Sequence, residues 1–291
     1  MTPSASAPRV VDAHCHFGPF DAHTIAAKTI SPLHGQELSS VERLSNYISS
    51  HNIDFLVLVP IYAPDPEYAF GLNTQVVACA RALPGKVMPG LWVDPSPSVR
   101  SHLIEAIAMA EIENIRVLKT SPDAWSGTFT PDPDTWHMDI RKGIDAIVGY
   151  SERRPCLLQI HTGSGRSDIR AIEKFMRWAP RSMMFQLVHM GNTVGGHFYL
   201  IPRLLEWLRE GLQVFCDTSL ARGFAVRWLL AEAGNSSMLA ERVLFASDEP
   251  WGIFDAELCA VVEATEGLPA VRQNVLCDNA RKLYSELRML P

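Results

Sequence analysis

The chain has 291 residues, of which 47% are apolar and 20% charged, and its 26 basic and 32 acidic side chains give a net charge of −6. A chain of this size buries enough surface to fold without disulfides or a structural metal, and its length allows one barrel or two small domains. Nucleic acid and anionic membranes are disfavoured as partners, because the sequence contains no cluster of Lys and Arg.

The sequence also predicts the cellular compartment of the protein. Residues Met1 to Arg9 lack an apolar stretch, so we expect no secretory signal. The most apolar run, Phe55 to Tyr62, is far shorter than the ~20 residues that span a bilayer. Six cysteines are scattered without a CxxC pair, and several lie in apolar runs, as expected of a reducing, cytoplasmic compartment.

Short β-rich apolar runs alternate with longer runs of helical period along the whole chain. The predicted strands are Arg9–Ala13, Asp54–Pro60, Val87–Val93, Ile115–Thr120, Pro155–Ile160, Met183–Val188, Gln213–Asp217 and Arg242–Ser247. The predicted helices are Val41–His51, Thr74–Ala82, Ser98–Glu113, Ile140–Glu152, Ile169–Trp178, Leu200–Arg209, Ala225–Glu232 and Val271–Met289. Such alternation predicts βαβ units and a parallel sheet.

Eight strand–helix units favour an α/β fold of the (β/α)8 TIM barrel type. The competing architecture is an open doubly wound sheet, which usually carries a Gly-rich first turn. Here the first turn reads His14-Cys15-His16-Phe17-Gly18 instead. No linker or charge block divides the chain, so we predict that residues 1–291 form a single barrel domain with a C-terminal helix.

Polar side chains stand at the carboxyl ends of five predicted strands, where barrel enzymes carry their chemistry. They are His14 and His16, then Lys119, His161, His189 and Asp248. Residues i and i+2 of a strand point the same way, so His14 and His16 can bind one ion. Imidazole and carboxylate ligands suit Zn, Mn, Fe or Ni. The pattern therefore predicts a divalent metal centre.

The same alternation predicts which neighbours face the barrel interior. If His161 points inward, so do Leu157 and Gln159, and if His189 points inward, so do Phe185 and Leu187. The remaining six histidines follow no strand and are predicted to lie at the surface or in loops. They are His23, His34, His51, His102, His137 and His197.

Five motifs together resemble the amidohydrolase superfamily. They are Asp12-Ala13-His14-Cys15-His16, His161-Thr162-Gly163, His189-Met190-Gly191, Ser247-Asp248-Glu249-Pro250-Trp251 and Asn279-Ala280-Arg281-Lys282-Leu283-Tyr284. The nearest branch is the amidohydrolase-related one, which also holds aminocarboxymuconate-semialdehyde-type decarboxylases and dicarboxylate lactonases. The resemblance runs from residue 11 to residue 284 and implies a metal-dependent hydrolase barrel.

The resemblance implies roles for the residues at the strand ends. In single-metal members His14, His16, His161 and Asp248 would bind the ion, and His189 would be catalytic. In two-metal members His161 and His189 would hold a second ion, bridged by a carboxylated lysine at Lys119. The usual Lys-x-His-Pro wording is replaced by Lys-Thr-Ser-Pro here. We therefore favour an uncarboxylated Lys119 that faces the substrate, and one ion, most simply Zn, over two.

The predicted reaction is hydrolysis of an amide, cyclic amide or lactone bond by a metal-activated water. Asp248 would act as general base and then acid, and His189 would polarise a carbonyl or shuttle a proton. One alternative is non-oxidative decarboxylation of a small aromatic or enoic acid by a lyase of the same superfamily. His161-Thr-Gly reads more like the hydrolases than like the decarboxylases. A second alternative is a non-catalytic binding barrel, which should lack at least one ligand.

Three further residues are candidates for binding a small-molecule substrate. Arg166 could bind an anionic group with its guanidinium fork, or be a solvated loop residue. Trp125 lies in a long loop after the fourth strand that could cap the site. Trp251 follows Asp248 and could line the pocket or cover the rim. We expect loops 19–40, 61–72 and 121–138 to select the substrate, and the resemblance is compatible with a homo-oligomer.

Overall fold

The computed structural model describes residues 9–19, 35–62 and 66–289. Residues 20–34 and 63–65, which belong to two of the predicted substrate loops, lie outside the described residues. His23 and His34 lie there too, and so do both chain ends of the predicted domain. The third predicted loop, residues 121–138, is described completely.

Eight parallel strands follow one another around a barrel in chain order. They are β1 (Val10–Phe17), β2 (Ile53–Pro60), β3 (Val87–Trp92), β4 (Val117–Thr120), β5 (Leu157–His161), β6 (Met184–Val188), β7 (Gln213–Asp217) and β8 (Val243–Leu244). Backbone hydrogen bonds join the last strand to the first, from Ala13 N–H to the Phe245 carbonyl at 2.9 Å and from Asp248 N–H to the His14 carbonyl at 2.9 Å. The predicted (β/α)8 barrel is confirmed.

Helices lie between the strands and cover the outside of the barrel. They are α1 (Val41–Ser50), α2 (Pro66–Ala82), α3 (Arg100–Ile112), α4 (Met138–Arg153), α5 (Ile169–Trp178), α6 (Val194–Arg209), α7 (Gly223–Asn235), α8 (Ser237–Ala240), α9 (Phe254–Ala264), α10 (Pro269–Gln273) and α11 (Asn279–Met289). In α5, Ile169, Ile172 and Phe175 recur on one face and are buried. None of the helices in the described ranges combines the length and apolarity that a bilayer span requires.

The C-terminal helix α11 closes the amino end of the barrel. Its Leu283, Tyr284 and Leu287 pack with the first inward residues of the strands, such as Val117 and Leu157. A single turn of π-helix, Asn274–Asp278, precedes it. Because this end is filled by apolar side chains, the functional cavity opens at the carboxyl end.

Alternation along the strands holds for β5 and fails for β6. Leu157 faces the interior as predicted, whereas Phe185 packs outward on Phe175 with ring centroids 5.5 Å apart. Gln186 lies inside, where it binds the Gln159 side chain. The prediction that Phe185 and Leu187 point inward is therefore wrong, because His189 does not continue the strand.

A left-handed turn re-aims His189 after β6. His189, Met190, Gly191 and Asn192 have φ angles of 71°, 50°, 90° and 49°. Left-handed backbone is costly for residues with a Cβ, so surrounding contacts must hold the turn in place. His197 supplies one contact, since its Nδ1 donates to the Met190 carbonyl at 2.8 Å. The prediction that His197 lies at the surface or in a loop is wrong, because it is fully buried on α6.

Candidate active site

A cavity of about 270 Å³ opens at the carboxyl ends of the strands. Its walls combine aromatic rings with groups that can bind an ion or a substrate. The lining residues are His16, Tyr62, Trp92, Lys119, Ser121, Asp123, His161, His189, Leu220, Asp248 and Trp251. Its volume suits a small molecule.

Three predicted ligands converge at the base of this cavity. Asp248 Oδ1 lies 3.2 Å from His14 Nε2 and 3.1 Å from His16 Nε2, and all three residues are buried. Two ligand atoms of a tetrahedral Zn site, each about 2.0–2.2 Å from the ion, lie roughly 3.4 Å apart. The spacing of the three atoms therefore fits a shared divalent ion.

Hydrogen bonds fix which nitrogen of each of these two histidines carries the proton. His16 Nδ1 lies 2.9 Å from the Pro60 carbonyl, which can only accept, so this nitrogen donates. His14 Nδ1 lies 2.8 Å from Gln159 Oε1, while the Gln159 amide nitrogen is occupied by other acceptors. His14 Nδ1 therefore donates as well, and both Nε2 atoms direct a lone pair at Asp248.

His189 has the same tautomer for a similar reason. Ser219 Oγ donates to Asp217 Oδ1 at 2.6 Å, so it accepts from His189 Nδ1 at 2.9 Å. The Nε2 atom of His189 then points a lone pair at Asp248 Oδ1, 4.0 Å away. When each ring is neutral and in this tautomer, the three Nε2 lone pairs face one carboxylate oxygen. That arrangement is repulsive unless a cation lies among the four atoms.

The charge states also suit a cation. Burial, and next the Lys119 charge, lower the pKa of His14 to about 3, and burial holds the pKa of His189 well below its usual value. For Asp248, burial alone would raise the pKa, but His189 together with His14 and His16 holds it well below its usual range. The pKa shifts therefore favour neutral His14 and His189 imidazoles beside an ionised Asp248 carboxylate.

His161 lies to one side of this group. Its ring centroid is 4.9 Å from that of His189, and its Nε2 is 3.9 Å from Asp123 Oδ2. The compact cluster of possible ligands among the described residues contains His14, His16 and Asp248 but not His161. The structure thus brings His189 rather than His161 towards Asp248.

Lys119 reaches the cavity from β4. Its side chain is 2% exposed, and its Nζ has no hydrogen-bond partner within the described residues. Burial lowers the pKa of Lys119 to about 8. An unpaired buried amine is costly, so this position fits a group that a bound molecule would complete.

Strained backbone also places Asp248. Its φ of 57° is left-handed, and the N–H groups of Trp251 and Gly252 donate to its carbonyl at 2.8 and 3.0 Å. A Cβ at Gly252 would lie 2.1 Å from the Ser247 carbonyl oxygen, so the turn requires glycine there. Backbone strain of this kind is often found at functional sites.

A buried network joins β1 to the chain before Asp248. Asp12 accepts hydrogen bonds from the Ser247 hydroxyl at 2.5 Å and from the Tyr47 hydroxyl at 3.0 Å. Pairing with β2 advances by three residues, from Asp12 to Cys15, while the partner advances by two. This one-residue bulge bends β1 beside the ligands.

The three predicted substrate residues have different placements. Trp251 lines the cavity. Trp125 is 1% exposed, and its Nε1 donates to Thr120 Oγ1 at 2.9 Å. The guanidinium of Arg166 donates to the backbone carbonyls of Asp123, Trp125 and Gly127. Neither Trp125 nor Arg166 is among the lining residues, so their placement does not support the predicted substrate contact, and they shape the loop instead.

Sequence reasoning missed the residues that support or extend the site. Gln159, Asp217 and Ser219 fix histidine protons, and Asp123 lines the cavity mouth. Alternation marked Gln159 as inward-facing without giving it a role. Asp217 and Ser219 follow the same strand-exit logic as the ligands, because β7 ends at Asp217.

Together, the barrel and its buried His-x-His pair with an aspartate after the last strand define a barrel protein with a group that could hold a metal ion. The family model described as Amidohydrolase matches residues 11–285, so the chain belongs to the amidohydrolase family. A search of curated proteins finds no match.

Solved structures share the fold at low sequence identity. An uncharacterized TIM-barrel protein from Bordetella bronchiseptica is 16% identical, with a TM-score of 0.62, and the match covers 86% of this chain and 84% of that one. An amidohydrolase from Burkholderia multivorans with bound HEPES is 15% identical, with a TM-score of 0.59 and coverage of 95% and 99%. Dihydroorotase from Saccharomyces cerevisiae is 12% identical, with a TM-score of 0.55 and coverage of 96% and 84%.

Proposed function

We propose that this protein is a metal-dependent hydrolase that cleaves an amide, cyclic amide or lactone bond in a small molecule. The observation that carries the proposal is the convergence of three imidazole Nε2 atoms on Asp248 Oδ1. Membership of the amidohydrolase family agrees with it.

His14, His16 and Asp248 would hold the ion, and His189 stands nearest to complete the set. Nitrogen and carboxylate ligands suit Zn best, with Mn, Fe and Ni as further candidates. We favour one ion, because the described residues form one compact group of three possible ligands. When bound, a divalent ion lowers the pKa of a water from ~15.7 to about 7 and so supplies a nucleophile at neutral pH.

Asp248 would move the proton. Its ionised carboxylate would accept a proton from the attacking water and return it to the leaving nitrogen or oxygen. His189 is neutral with its proton on Nδ1, so its Nε2 would accept a proton before it could donate one. This tautomer favours proton shuttling over polarisation of a carbonyl by a donated N–H.

Lys119 and the aromatic walls would hold the substrate. The unpaired Lys119 Nζ would donate to a carbonyl or carboxylate oxygen of the substrate. Tyr62, Trp92 and Trp251 present flat apolar surfaces around the cavity. These walls favour a small ring compound.

The same Lys119 would also suit a substrate carboxylate, which supports decarboxylation as the second candidate. The test incubates the metal-loaded protein with simple lactones, cyclic amides, and aromatic and enoic acids, and follows proton release and CO₂ separately. We expect ring opening without CO₂, lost on chelation and restored by Zn. CO₂ release without a hydrolytic product would contradict the hydrolase proposal, and neither activity with no bound metal would favour a binding barrel.

For the removal of a carboxylate from the site, as in Asp248→Asn, the matched control is Asp134→Asn. Asp134 is an exposed carboxylate paired with Lys174, on the same long loop as Trp125 but remote from the cavity lining. We expect this variant to retain full turnover, which separates a site effect from a general effect of removing a carboxylate.

A further inference from the structure

The mouth of the cavity carries a carboxylate that the proposed reaction does not use. Asp123 belongs to residues 122–127, which follow β4 and are called the rim loop below. Its side chain is 39% exposed and lines the cavity with Tyr62 and His161. Its Oδ2 lies 3.9 Å from His161 Nε2, and it does not belong to the compact group formed by His14, His16 and Asp248.

Neighbouring loops hold the rim loop on two sides. Ser167 Oγ donates to Asp123 Oδ2 at 2.7 Å, and Arg166 donates to three rim-loop carbonyls. From the other side, Ser96 Oγ accepts from the Ser126 N–H at 2.8 Å. The Asp123 carboxylate is therefore fixed before any ligand binds, which reduces the entropy lost on binding.

Much of the acceptor capacity of Asp123 is unused. Within the described residues, Oδ1 makes no hydrogen bond, and no Lys or Arg side chain lies within 4.0 Å of the carboxylate. The His161 Nε2 is 3.9 Å from Oδ2, which is too far for a hydrogen bond. The Arg166 guanidinium donates to backbone carbonyls of the rim loop rather than to this carboxylate.

The charged groups of the described lining lie at different depths. Lys119 and Asp248 are buried, whereas Asp123 supplies a partly exposed carboxylate at the mouth. We propose that Asp123 determines specificity by accepting a hydrogen bond from an N–H, O–H or ammonium group of the substrate, at the end remote from the scissile bond.

This inference rests on the proposed function and names its substrate class. The substrate would be a small ring with its reactive carbonyl near Asp248 and a hydrogen-bond donor at the Asp123 end. A substrate carboxylate at the mouth would face Asp123 as a like charge, so rings with an anionic substituent at that end would be rejected.

The test compares one ring without a substituent and with each of three substituents. The probes are γ-butyrolactone, its amino and hydroxy derivatives, and its carboxylate derivative. Binding is measured by ligand-observed NMR on the metal-loaded protein, and hydrolysis is measured separately. For the unsubstituted protein we expect the amino and hydroxy rings to bind about tenfold or more tightly than the parent ring, and the carboxylate ring most weakly.

Variants then assign the preference to Asp123. In Asp123→Ala we expect the affinity ratio of the amino ring to the parent ring to fall to about one, with metal content retained. Asp123→Asn keeps an acceptor without the charge, so it should retain the hydroxy preference and lose most of the amino preference. Ser167→Ala should weaken both preferences partly, and Asp134→Asn should change neither.

Two results would overturn the inference. One is the absence of a preference in the unsubstituted protein, including undetectable binding of the amino and hydroxy rings. The other is a preference that survives in Asp123→Ala. Failure of the proposed function gives a different result, because binding preferences would then appear without hydrolysis of any ring.

Discussion

The two ends of the barrel differ in the polarity of their buried side chains. At the amino end, Leu283 and Leu287 of α11 fill the opening between apolar strand residues. At the carboxyl end, buried histidines and carboxylates surround an open cavity. The comparison shows that one end is organised for packing while the other accepts strained backbone and unpaired polar atoms, so stability and chemistry should respond to different substitutions.

The largest effect is expected from a substitution of Asp248 at the carboxyl end of the barrel. In Asp248→Asn the carboxylate charge that faces three imidazole lone pairs is lost. We expect bound metal to fall to near zero and kcat/KM to fall by about 10³-fold or more. Elemental analysis and steady-state kinetics measure both.

The unfolding free energy of the metal-free Asp248→Asn protein is the complementary measurement. We expect it to be equal to that of the unsubstituted protein or higher, because the substitution relieves repulsion. A variant that keeps its metal would contradict this assignment.

Breaking the amino end should have the converse effect. Leu283 is 3% exposed and belongs to the apolar cluster at the amino end of the barrel. We expect Leu283→Ala to lower the free energy of unfolding by about 2–4 kcal/mol through lost burial and a cavity. Turnover per folded molecule should persist. Urea unfolding measures the change, with exposed Glu286→Ala as control, and a comparable loss in the control would refute the packing role.

A smaller effect is expected from loosening His189 without touching a ligand. Ser219→Ala removes the acceptor of the Nδ1 proton. Loss of such a partner typically costs 10–100-fold in metal affinity or activity. Nitrogen NMR of labelled histidine should show the Nδ1 proton of His189 lost or redistributed, and Ser219→Thr should restore it. An unchanged tautomer in Ser219→Ala would show that Ser219 does not position the ring.

The smallest expected effect concerns the pH dependence of the carboxyl end. Burial raises the pKa of Glu257 from 4.5 to about 8, with Asp248, Asp217 and Asp12 acting in the same direction. A carboxyl whose pKa is higher in the folded state binds more protons there. Its contribution therefore makes the free energy of unfolding fall as pH rises from about 4.5 to about 8.

Glu257→Gln removes this titration but keeps an acceptor for the Leu220 N–H. We expect the variant to match the unsubstituted protein near pH 4 and to be more stable by about 1 kcal/mol at pH 9, since partial exposure reduces the effect. Urea unfolding at several pH values measures the difference. A difference that does not vary with pH would contradict the prediction.

The barrel and the proximity of His14, His16 and Asp248 could be predicted from the sequence because both depend on local signals. Strand–helix alternation gave the fold, and strand exits identified His14, His16 and Asp248. Alternation within a regular strand also placed Leu157 and Gln159 correctly.

The parts that could not be predicted depend on departures from regular strands and on contacts between distant segments. Because of the left-handed turn at His189, Phe185 faces outward rather than inward as expected. The residue types near β6 do not predict this turn unambiguously. Gln159 meets His14 across 145 positions, and Ser219 meets His189 across 30. Such pairings exist only once the barrel has closed.

Central to this account is a divalent ion bound by His14, His16 and Asp248. Anomalous diffraction from crystals of protein purified without chelator, recorded on both sides of the Zn absorption edge, tests it most directly. We predict one peak about 2.0–2.2 Å from His14 Nε2, His16 Nε2 and an Asp248 oxygen. Ordered His14, His16 and Asp248 side chains with no anomalous peak among them would contradict the account.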